Sequence, residues 1–88
     1  MGIKYVNGPG TNIGNAIKII GAHGEIDGVD AEYELIELIF NIIRKKWTVP
    51  VQFLIAVGDR YYDRLEIKDE DDKVSDIFFD ITQFFGRY

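Results

Sequence analysis

The sequence predicts an α+β domain: a mostly antiparallel sheet with a C-terminal three-stranded meander, and one long helix packed on one face. Three observations carry this. From residue 50 to 81, apolar and polar side chains alternate with a period of two in three successive runs, the pattern of half-buried strands. Residues 30–46 repeat instead with the helical period. With 47% apolar and 14% aromatic residues in 88, the chain builds one core, so residues 1–88 are read as a single domain.

Taken in order, the N-terminal third is rich in turns, since seven of the nine glycines lie within residues 2–28. Ile3–Val6 reads as a short edge strand and Asn7-Gly8-Pro9-Gly10 as a turn. The β-branched run Ala16–Ile20 reads as a strand, with a short helix as the rival, and 21–28 as a loop. The helix is expected over Asp30–Lys46. Asp30 is its N-cap, Glu32 and Glu34 lie in the first turn, and Arg44, Lys45 and Lys46 close the last, which suits the helix dipole at both ends. Its apolar side chains, Leu35 to Trp47, cover an arc of roughly 220°, about twice the stripe one sheet face buries. Ile36, Phe40, Ile43 and Trp47 are therefore candidate residues of a homodimer interface.

Strands follow at 50–57, 61–68 and 74–79, joined by tight loops at 58–60 and 69–72. Pro50 opens the first, where its missing N–H costs least. A three-residue loop at 58–60 sets Phe53 opposite Leu65 and Asp63 opposite Ile55, which matches apolar faces. Asp80 and Gln83 have capping-box spacing, so a helical turn over Ile81–Phe85, ending at Gly86, is expected.

Composition excludes several functions. There is no cysteine, which removes disulfides, thiolate metal sites and cysteine nucleophiles and points to the cytoplasm. The formal charge is −5, so nucleic acid is not an expected partner. No apolar run is long enough to span a membrane and no secretory leader pattern opens the chain, so membrane is not expected either. The whole charge excess resides in residues 59–80, with nine acids against four bases.

Chemistry-bearing motifs are few. Ser75 and His23, the only serine and histidine, lack a nucleophile-elbow context. Gly8–Gly14 matches neither G-x-G-x-x-G nor a P-loop. The acids Asp69–Asp72 are consecutive, without the alternation or central glycine of a calcium loop, and read as a solvated hairpin tip. No catalytic residue, metal or cofactor is assigned. Two acids are out of place: Glu32 lies inside the helix's apolar arc and Asp63 on the apolar strand face. If the helix covers that face, Glu32, Asp63, Tyr61 and Tyr33 line one candidate cleft, and paired carboxyls with tyrosines can perform acid–base chemistry. The structural alternative is that Glu32 caps backbone N–H groups and Asp63 pairs with an arginine.

The stretches Ala16-Ile17-Lys18-Ile19-Ile20-Gly21-Ala22, Ala31-Glu32-Tyr33, Tyr61-Tyr62-Asp63 and Phe79-Asp80-Ile81-Thr82-Gln83-Phe84-Phe85-Gly86 resemble a family of short, uncharacterised bacterial proteins, some encoded on integron gene cassettes. The resemblance spans nearly the whole chain and implies a small bacterial α+β domain, with no activity attached. The leading functional expectation is a non-enzymatic protein-interaction or adaptor module acting as a homodimer. The alternatives are a small-ligand binder or enzyme using the acid/tyrosine cleft, and an acidic inhibitor or immunity-type protein that docks residues 59–80 on a basic partner.

Overall fold

The computed structural model describes residues 2–86. Five strands, β1 (Lys4–Val6), β2 (Ile17–Ile20), β3 (Trp47–Val57), β4 (Arg60–Asp69) and β5 (Val74–Asp80), form one sheet in the order β1-β2-β5-β4-β3. The β3–β4–β5 meander is antiparallel, β1 pairs antiparallel with β2, and β2 joins β5 in parallel. Helix α1 (Glu25–Ile42) lies on one face, packing Ala31, Ile36 and Phe40 against Ile17, Ile19, Leu65, Ile67 and Phe79. Burying side chains of the larger kinds contributes roughly 1.5–3 kcal/mol each. Among the described residues, no helix is long and apolar enough to cross a membrane.

The helix begins and ends earlier than its sequence pattern predicts. Gly24, not Asp30, is the N-cap, and Glu25 and Asp27 supply the first-turn acids. Gly28, which reads as a helix breaker, lies inside α1 because Phe84 packs against it: a Cβ there would overlap the Phe84 ring. At the other end Arg44 takes a left-handed conformation, φ +57°. The Lys45 N–H donates to the Phe40 carbonyl and the Arg44 N–H to the Asn41 carbonyl, the paired bonds of a Schellman stop. Arg44, Lys45 and Lys46 thus lie beyond the helix. Lys45 pairs with Asp69 and Asp71, and the Lys46 N–H donates to the Glu70 side chain. The 69–72 tip is tied to the α1–β3 connection, while Glu70, Asp71 and Asp72 stay exposed to solvent as the sequence suggests.

The β3–β4 register also differs from the expected one. The loop has two residues, Gly58 and Asp59, with Gly58 at φ +61°, a glycine-led turn suited to the twist of a hairpin. Phe53 therefore faces Arg64 rather than Leu65, and Asp63 faces Leu54 rather than Ile55. An irregularity between Thr48 and Val51, around Pro50, shifts the strand's phase. Before it, Trp47 and Val49 pack on the core. After it, Gln52, Leu54 and Ala56 share the helix-side face with Asp63 and Leu65, while Val51, Phe53, Ile55 and Val57 turn to the opposite face.

The C-terminal turn forms as expected: the Phe85 N–H donates to the Ile81 carbonyl and Gly86 adopts φ +76°. Asp80 caps it, accepting from the Thr82 N–H at 3.0 Å and the Thr82 hydroxyl at 2.7 Å. Gln83 does not close a capping box. Its Oε1 accepts from the Gly21 N–H at 3.1 Å and ties the turn to the end of β2.

Candidate functional site

Two regions carry unusual side chains: a buried acid pair between helix and sheet, and the outer strand β3. Glu32 is the eighth residue of α1 and is 0% exposed. At that position the helix's own hydrogen bonds use the nearby N–H groups, so Glu32 does not cap the helix. Asp63, also buried, sits in a row across the sheet formed by Leu54, Asp63, Phe79 and Ile17. Among the described residues it has no arginine partner: Arg60 pairs with Asp80 and Arg64 with Asp76.

Among the described residues, no donor group hydrogen-bonds to either Glu32 oxygen. Burial, reinforced by the neighbouring Asp63 carboxyl, pushes the Glu32 carboxyl up to about 10. A carboxyl raised that far holds its proton at neutral pH, so Glu32 is buried in its neutral form.

The tyrosines do not complete a cleft. Tyr61 stacks on Phe85, with ring centroids 4.1 Å apart. Tyr33 packs edge-on against Trp47 at 6.2 Å and lines a surface hollow with Asp30, Glu34 and Glu37. Of the four candidate cleft residues, only Glu32 and Asp63 come together, and neither lines the surface hollows along α1 or beside the 69–72 tip. With Glu32 fully enclosed, the pair has the chemistry of an acid–base dyad without access for a substrate.

The candidate interface residues also separate. Ile36 and Phe40 are buried in the chain's own core, which corrects their assignment to a helix-borne dimer surface. Trp47 belongs to β3 and packs against Phe40 and Tyr33. Ile43 stays exposed, next to exposed Leu38, Ile39 and Ile42, the last at 74%.

Sequence reasoning missed the second region. β3 lies at the edge of the sheet, and its eleven residues include no charge. Beyond Pro50 its side chains are open on both faces, with Phe53 44%, Leu54 56% and Val57 54% exposed. On the face away from α1, Arg64 lies between the Phe53 and Phe78 rings, at 5.3 and 5.7 Å from their centroids, and pairs with Asp76 at 3.0 Å. The available signal was the uncharged run between Lys46 and Asp59.

The acids of residues 59–80 are largely engaged within the chain. Asp80 pairs with Arg60, Asp76 with Arg64, Asp72 with Lys68, and Asp69 and Asp71 with Lys45. Partial desolvation pushes the Asp80 carboxyl up, but the Thr82 hydroxyl, Arg60 and the Thr82 N–H outweigh it and hold it below the ordinary range. Asp69 is likewise held low: desolvation raises it, and the Lys73 and Asp71 N–H groups with Lys45 more than offset this. Among the described residues, no three acidic, histidine or cysteine side chains converge to hold a metal ion.

No family model, curated protein or solved structure matches this chain.

Proposed function

We propose that the protein is a non-enzymatic interaction module that acts as a homo-oligomer. The observation that carries this reading is the apolar surface left uncovered by its own chain: Leu38, Ile39, Ile42 and Ile43 on and just after α1, and Phe53, Leu54 and Val57 on β3. Soluble monomers seldom expose contiguous apolar patches beyond a few hundred Å², and larger ones mark association sites. A second copy supplies matching apolar surface without any further component.

The acid/tyrosine cleft supports an enzyme less well, because Glu32 and Asp63 are enclosed and the tyrosines lie elsewhere. Docking of residues 59–80 on a basic partner is weakened by the internal ion pairs that occupy most of those acids. The cysteine-free composition fits a reducing compartment, and the cytoplasm is the setting proposed. The resemblance to short bacterial proteins, some carried on integron cassettes, is compatible with this role and names no chemistry.

Light scattering coupled to size exclusion tests it. A mass of about twice the 10.1 kDa chain, or a higher multiple, is expected at micromolar concentration. A mass of one chain across that range would overturn the reading.

A further inference from the structure

We propose that the surface joining two copies is the free edge of β3, paired antiparallel with itself across a two-fold axis centred on Leu54. This rests on the homo-oligomer reading and specifies its contact.

The free edge follows from the hairpin. A two-residue loop closes on Val57 and Arg60, and such a closing pair exchanges both backbone hydrogen bonds. Counting back in steps of two, Val57, Ile55, Phe53 and Val51 direct their N–H and C=O groups to β4. The groups on the free edge therefore belong to Gln52, Leu54 and Ala56.

Edges of natural sheets are protected by charges, prolines, bulges or shortness. At the far side of the sheet, β1 is three residues long and carries Lys4. In β3, Pro50 and the irregularity at 48–51 protect the first half. From Val51 to Val57 no such device is present.

Self-pairing about Leu54 makes this segment complementary to itself. Leu54 meets Leu54 of the partner subunit, and Gln52 meets the partner's Ala56, both on the helix-side face. On the other face Phe53 meets the partner's Ile55, and Val51 meets the partner's Val57. Roughly six backbone hydrogen bonds form, every cross-strand pair on the outer face is apolar, and no charge faces another. A charged partner strand would find the backbone groups but no matching side chains, whereas a second copy satisfies both and closes the assembly at two subunits.

Leu54→Lys tests the contact. The side chain is 56% exposed within one chain, and the change sets two ammonium groups against each other at the axis. The expected result is a fall to the mass of one chain with an unchanged circular dichroism spectrum. Ile26→Lys, at an exposed position of α1 outside the apolar surface of Leu38 to Ile43 and β3, is the control and is expected to keep the oligomer mass. If Leu54→Lys keeps the oligomer mass, the edge proposal is wrong while self-association stands. If the unaltered chain is a monomer, both are wrong. Should Leu54→Lys not fold, amide exchange in the unaltered protein decides: slow exchange at Gln52, Leu54 and Ala56 supports the pairing, and fast exchange at all three overturns it.

Discussion

Glu32 sets the pH dependence of folding. Its folded-state pKa, about 10, lies above the ordinary 4.5, so folding takes up a proton. Its contribution is therefore full below about pH 4.5 and is lost as pH rises towards 10, by about 1.4 kcal/mol per pH unit. Asp80 and Asp69 act in the opposite sense: their carboxyls are held below 3.8, and what they contribute is lost as pH falls through their folded values. Stability should peak in mildly acidic solution. Glu32→Gln removes the proton uptake, so it should stabilise the protein at pH 8 by about 3–5 kcal/mol and flatten the alkaline limb. Urea unfolding of both proteins from pH 4 to 9 measures this, and a destabilised variant with an unchanged slope would contradict it. The acid's misplacement in an apolar arc was legible in the sequence. Its effect was not, because that depends on where the helix starts: one turn from an N-terminus a carboxylate finds free N–H groups, and at the eighth residue it finds none.

At the scale of elements, the two ends of α1 show what local pattern conveys and what it hides. Arg44 occupies a left-handed position where glycine is usual, so nothing in its identity marks a helix stop, and three consecutive bases read as a last turn. Arg44→Gly relieves that conformation and should raise stability by about 1 kcal/mol, measured as an increase in Tm. Gly28 misleads in the other direction. It suggests a break, yet its missing side chain makes room for Phe84, from the far end of the chain. Gly28→Ala should cost about 1–3 kcal/mol through overpacking despite the better helix propensity of alanine. A rise in Tm would show that Phe84 yields. The alternation of β3, β4 and β5 made the meander legible, but the register was not, because the phase of β3 changes at Pro50 and the Gly58-Asp59 turn sets the pairing from the other end.

For the whole molecule, the proposed assembly ties folding to concentration. An oligomer contact is available to the folded chain and not to the unfolded one, so Tm should rise with protein concentration. Leu54→Lys should remove that rise by leaving single chains. Salt gives the dependence a sign that separates the readings. Each chain carries a formal −5, so bringing two together through an uncharged strand sets like net charges side by side, and screening should strengthen the association. Docking of an acidic surface on a basic partner would weaken with salt instead. Sedimentation of the isolated protein over a range of sodium chloride should therefore show more oligomer at higher salt. Dissociation on adding salt would mean that attraction between unlike charges, and not the uncharged β3 edge, holds the copies together.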